Sequence, residues 1–164
     1  MRSGMLRGMM LCVAVAFGMS SLMPVRGSAQ AASPDSAFSI PKANLIQPAE
    51  LNSALTAQGT KKPLVLQVGS HMLFTEAHIA GSEYAGAGSQ EAGRKMLQDR
   101  VAALPRSSSI VIYCGCCPWE RCPNLGPAFK ALHDMGFTNV KALYIAQNFG
   151  ADWVDKGYAV ERAH

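Results

Sequence analysis

The chain is 164 residues long, with 15 basic and 11 acidic residues and a formal charge of +4. Three of the basic residues, Arg2, Arg7 and Arg26, fall in the first 31 positions, where there is no acid, so the remaining 133 residues carry 12 basic against 11 acidic side chains. A nearly neutral body leaves no electrostatic footprint for nucleic acid or an anionic membrane surface, and its length suffices for one domain with a proper core.

The basic start, an apolar run from Met9 to Met23 and the small-residue triplet Ala29-Gln30-Ala31 predict a secretory signal peptide over residues 1–31. Gly18, Ser20 and Ser21 interrupt the apolar run, which falls short of the ~20 residues a span needs. Cys12 should leave with it. The mature protein is then expected to be secreted or periplasmic, with no membrane attachment. Residues 32–43, "ASPDSAFSIPKA", read as a flexible N-terminal tail, and residues 44–164 as the folded domain.

From Asn44 short apolar runs alternate with helical stretches. Leu45-Ile46 predicts a brief strand, and Pro48 opens a helix with Leu51 and Leu55 on one face and Gly59 at its end. "PLVLQVG" is a strand, Met72 to Ala77 a short helical turn, and Glu83-Tyr84 a weak strand. Leu97, Val101 and Leu104 repeat at helical spacing up to Pro105. "SIVIYC" is the most β-branched run and predicts the central strand. Leu125, Ala128, Phe129, Leu132 and Met135 form the next helical face, with Asn124 as N-cap and Gly136 past the end. "NVKALYI" predicts the last strand and "FGADWVDKGY" a closing helix. Strands separated by helices specify an α/β domain, a parallel sheet covered on both faces.

Four cysteines, Cys114, Cys116, Cys117 and Cys122, crowd into "CGCCPWERC" directly after the central strand. Bridges among them would close very short loops and constrain the unfolded chain little, so stapling does not explain them. Ligands of parallel α/β sheets bind beyond the carboxyl ends of the strands, facing helix N-termini. Cys114 holds such a position. The helix after Asn124 and the nearby Arg121 are both expected to lower its pKa and make it a nucleophile. Trp119 is expected to serve packing, and His71 and His78 are given no catalytic role.

The chain resembles the rhodanese-like sulfurtransferase family. "PLVLQVGSHMLFTEAHIAGSEY" is similar to its first signature and "IVIYCGCCPWERCPNLGPAFKALHDMGFTNVKAL" to its second, and the ending with Trp153 and Gly157-Tyr158 also matches. The likeness covers residues 45–160. It implies a five-stranded parallel sheet with helices on both faces. It also implies that Cys114 takes up sulfane sulfur from a small donor as a persulfide and passes it to a thiol or cyanide. The active-site loop would comprise Gly115, Cys116, Cys117, Trp119, Glu120, Arg121, Cys122 and Asn124, with its backbone N–H groups around the sulfur. In the first signature Gln67 and Gly69 stand where the family commonly has Asp and Arg, so its ion pair is missing. The loop is also longer and richer in cysteine than the family norm.

Two other readings stay open. Cys114 and Cys117 form a C-x-x-C after a strand, the pattern of a thiol–disulfide module with a periplasmic redox partner, and the thiolates together suit a soft metal. Cys117 and Cys122 are spaced to form a reversible disulfide around Pro118 and Trp119, leaving Cys114 free. No cofactor is expected and no metal ligands are assigned.

Overall fold

The structure, a computed structural model, describes residues 40–163. The signal-like segment 1–31 and residues 32–39 of the tail lie outside the described residues. Seven strands, β1 (Leu45–Ile46), β2 (Leu64–Gln67), β3 (His78–Ile79), β4 (Glu83–Tyr84), β5 (Ile110–Tyr113), β6 (Val140–Leu143) and β7 (Val160–Glu161), alternate with four helices. The helices are α1 (Pro48–Thr56), α2 (His71–Glu76), α3 (Glu91–Val101) and α4 (Leu125–Asp134).

Five strands form one parallel sheet in the order β1-β6-β5-β2-β4. β5 lies in the middle, as its unbroken apolar run predicts, and all four of its residues are buried. Strand alternation sends Ile110 and Ile112 to one face, where they join Leu97 and Val101 of α3 and Leu125, Ala128, Phe129 and Leu132 of α4. Val111 and Tyr113 point the other way, toward Leu51 of α1 and Trp153. Helices therefore cover both faces. Cys114 belongs to the α3/α4 side.

Three local expectations need correction. Residues 40–43, expected in the tail, belong to the fold: Ile40 is buried in the core, and a single 3-10 turn, Lys42–Asn44, leads into β1, with Asn44 Nδ2 donating to the Val140 carbonyl at 3.0 Å. An apolar side chain has no reason to stay in solvent when a hydrophobic sheet edge is at hand. The closing helix is present but is a short π-helix, Gly150–Val154, marked by the bond from Asp155 N–H to the Gly150 carbonyl, 2.8 Å. Its bulge lets Trp153 reach the core. Finally, β3 and β7 pair as a two-stranded antiparallel ribbon. Two-residue strands carry too little periodicity to be read from sequence.

The two segments that carry the family-like signatures meet at Tyr113. Its hydroxyl accepts from Ile79 N–H at 3.1 Å and bonds Ser82 Oγ at 3.0 Å. Burial pushes its pKa up to about 12, so it stays a neutral strut. His78 is satisfied in the same way: its Nδ1 donates to the Phe74 carbonyl at 2.8 Å and its ring stacks on Phe74 at 3.9 Å. His71 is exposed, edge-on to Tyr84 at 4.7 Å.

Candidate active site

β5 ends by delivering Cys114 to the carboxyl edge of the sheet, 2% exposed. The next residue turns the chain out of the strand. Gly115 has φ +76°, a left-handed conformation that any side chain would strain, and its carbonyl accepts from Phe149 N–H at 3.2 Å. The loop is tied again where Trp119 N–H donates to the Ile145 carbonyl at 2.9 Å. The Trp119 ring packs against the core and lies 5.3 Å from Tyr144, so it is a packing residue. Glu120 and Arg121 are exposed on the short 3-10 turn Trp119–Arg121.

Four free thiols converge here. Cys114 Sγ is 2.9 Å from Cys116 Sγ, which is 3.3 Å from Cys117 Sγ; Cys117 in turn donates to the Arg121 carbonyl at 3.6 Å. Hydrogen bonds from the Cys116 thiol and then the Cys122 thiol hold the Cys114 pKa well below the ordinary thiol range, helped by the Cys116 N–H and Asn124 and opposed by burial. Its partners move the other way. Cys116 and Cys122 are raised, first because each donates its proton to Cys114, and Cys117 is raised, first by burial. The cluster thus holds its negative charge on one sulfur. Neighbouring thiols lead in lowering the pKa, where the sequence pointed to the N-terminus of the following helix and to Arg121. The cradle consists mainly of side chains, with one backbone N–H.

Asn124 differs from expectation in an informative way. It stands at the start of α4, but its side chain makes no capping bond. Its Oδ1 accepts from Ser89 N–H at 3.0 Å and from Ser89 Oγ at 2.8 Å, while Nδ2 donates to Cys114 Sγ at 3.3 Å. The Ser89 N–H must face an acceptor, so it fixes the amide orientation and obliges the donor end to face sulfur, which favours the thiolate. Ser89 lies in a stretch of small residues before α3 that carries no chemical signature, and sequence reasoning missed it.

Gln67 and Gly69 occupy the missing ion pair's place. Gln67, 2% exposed, donates from Nε2 to the carbonyls of Cys114 (3.2 Å) and Ser70 (3.3 Å) and accepts from Gly69 N–H (3.1 Å). A neutral bracket therefore ties the end of β2 to the end of β5. A Cβ at Gly69 would stand 2.9 Å from both the carbonyl oxygen and Sγ of Cys114, so only glycine lets β2 approach the thiol this closely.

Above Cys114 opens a cavity of about 350 Å³. Gln67, Cys114, Gly115 and Cys116 form one side, Leu73, Glu76 and Ala77 come from the end of α2, and Asn148, Phe149, Gly150 and Val154 from the turn after β6. The only formally charged side chain in this lining is Glu76. Sequence reasoning did not name these wall residues, because their meeting depends on the crossover after β6. Cys114, Cys116 and Cys117 also place three Sγ atoms within 4.8 Å of one another, a donor set suited by type to a soft cation.

The lowered pKa gives a signed expectation. Between the folded value and the ordinary ~8.5, unfolded Cys114 binds more protons than folded Cys114. Its contribution to stability is thus complete above the ordinary value and lost as pH falls through the folded one. Iodoacetamide labelling of Cys114 should therefore remain at its plateau at neutral pH, where an ordinary thiol has already slowed. Asn124→Leu should move the midpoint upward. A wild-type midpoint in the ordinary thiol range would show that the neighbouring thiols do not hold the charge.

No protein-family model matches the sequence, and no curated protein matches it significantly. Solved structures do. The rhodanese-like domain of Alr3790 from Anabaena sp., in solution, is 21% identical with a TM-score of 0.54, covering 73% of this chain and 79% of that one. A crystal structure of Alr3790 gives 22% identity and a TM-score of 0.56 over 72% and 92% of the two chains. The single-domain sulfurtransferase RDL2 of Saccharomyces cerevisiae is 12% identical with a TM-score of 0.52 over 73% and 95%. The chain has the rhodanese-like α/β fold.

Proposed function

We propose that this protein is an exported sulfurtransferase in which Cys114 carries sulfane sulfur as a persulfide, taken from a small sulfur donor and given to a thiol or to cyanide. The observation that carries this reading is the Cys114 thiol at the end of the central strand, with Cys116 Sγ at 2.9 Å and Asn124 Nδ2 at 3.3 Å placed to favour its ionised form, and with a cavity of about 350 Å³ above it. A thiolate is the form of cysteine that attacks sulfur. The rhodanese-like fold and its likeness to a single-domain sulfurtransferase support the same class. Export by residues 1–31 and a periplasmic redox partner that keeps the loop reduced belong to this reading. Nucleic acid does not. A reversible Cys117–Cys122 bridge is the loop's oxidised form, made by exchange with a partner disulfide; it would take from Cys114 one of the thiols that donate to it.

Exposure of the reduced protein to an alkyl hydropersulfide and, more slowly, to thiosulfate should add one sulfur atom to the intact mass. Peptide mapping should place it on Cys114. A protein that gains no sulfur from either donor, or gains it first on Cys122, would overturn the assignment. The three clustered Sγ atoms favour one second reading, capture of a soft metal such as Cu(I), and metal content measured on the same preparation separates the two.

A further inference from the structure

We propose that sulfur leaves the site by a relay, in which the sulfane sulfur loaded on buried Cys114 passes to Cys116, and Cys116 delivers it to the acceptor. This rests on the persulfide reading of Cys114 and adds a second sulfur-bearing residue to it. Cys114 is 2% exposed, whereas Cys116 is exposed at the cavity's edge, and their Sγ atoms are 2.9 Å apart. A sulfur bonded to Cys114 Sγ sits about 2.05 Å beyond it, within reach of the neighbouring sulfur. The donor meets Cys114 inside the cavity. An acceptor too bulky to enter it meets Cys116 outside.

The step balances without an oxidant. Cys116 sulfur attacks the outer sulfur of the Cys114 persulfide, a new S–S bond forms on Cys116, and the old one breaks. Its electron pair returns to Cys114 as the thiolate. In sum, Cys114–S–S⁻ and Cys116–SH give Cys114–S⁻ and Cys116–S–SH; the thiol proton ends on the transferred sulfur and the number of S–S bonds is unchanged. The direction follows from access. A bulky acceptor reaches exposed Cys116 and not Cys114, which is 2% exposed, so removal of sulfur from Cys116 draws the transfer outward. The rigidity needed for a repeated transfer comes from Gly115, whose carbonyl is held by Phe149 N–H between the two cysteines.

The test compares sulfur delivery from loaded protein to a slim acceptor, cyanide, and a bulky one, reduced glutathione, in wild type and in Cys116→Ser. The rate ratio of glutathione to cyanide cancels any effect of the lost thiol on loading. It should fall at least tenfold in Cys116→Ser and stay within twofold of wild type in Lys61→Ala, at an exposed residue outside the site. Rapid alkylation and peptide mapping of loaded wild type should find sulfane sulfur on both Cys114 and Cys116. An unchanged ratio in Cys116→Ser, with Cys114 loaded, overturns the relay and leaves the sulfur-carrying reading standing. Release of hydrosulfide with a Cys114–Cys116 disulfide would mean attack on the inner sulfur, and also overturns it. A wild-type protein that takes up no sulfur removes both.

Discussion

Trp153→Ala should lower the stability of the protein by about 3–5 kcal/mol, the usual range for emptying a large aromatic site. Trp153 is 1% exposed, its Nε1 donates to the Ala159 carbonyl at 3.1 Å, and its ring lies parallel to Phe149 at 6.4 Å and edge-on to Tyr158 at 5.0 Å. The wide turn Gly150–Val154 exists to seat this ring, so removing it leaves the turn without an anchor. The loss reaches the site, because Phe149 packs beside Gly115 and lines the cavity. Urea denaturation and a thermal melt measure the effect, with the midpoint expected to drop by roughly 10–20 °C. A change under about 1 kcal/mol would show that the turn lies outside the cooperative core.

Cys114→Ser should show the reverse profile. Sulfur transfer to cyanide, read as thiocyanate, is expected to fall at least about a thousandfold, as for loss of any nucleophile. A serine hydroxyl does not ionise near neutral pH and cannot carry sulfane sulfur. The fold should persist, since the hydroxyl fits the thiol's space and Asn124 Nδ2 remains within reach of an acceptor there; stability should match wild type at a pH below the folded Cys114 value and fall short of it at neutral pH by what the ionised thiol contributes. Activity lost with the fold intact assigns the chemistry to this atom. Retained transfer would place the nucleophile on another loop cysteine.

The sheet was legible because β5 and its neighbours are buried on both faces, and such strands read as continuous β-branched runs. The same run marked where Cys114 would emerge. The helices around it announced themselves through apolar spacing, with Pro48 and Asn124 at their starts. What stayed hidden was set by tertiary contact. Asn124 reads locally as a cap, yet Ser89, 35 positions earlier, turns its amide onto sulfur. Gln67 and Gly69 looked like the loss of an ion pair and form a neutral bracket in its place. The thiol network that lowers the Cys114 pKa is set by the fold of the loop, because the nine residues between Cys114 and Asn124 can place their side chains in many ways.

The cavity's lining bears on which small molecules suit it. Its one formal charge is the carboxylate of Glu76, no lysine or arginine is among its residues, and the nucleophile itself is an anion. Two unit charges 4 Å apart repel by about 1 kcal/mol even in bulk water and by more where water is excluded. Thiosulfate, with two negative charges, would enter a site that offers it no counter-charge, whereas a small alkyl hydropersulfide brings at most one charge and an apolar body that suits Leu73, Phe149 and Val154. On the proposed sulfur-carrying reading, this lining favours a small, weakly charged sulfur donor over a dianion such as thiosulfate, and uptake from the two donors at equal concentration compares them.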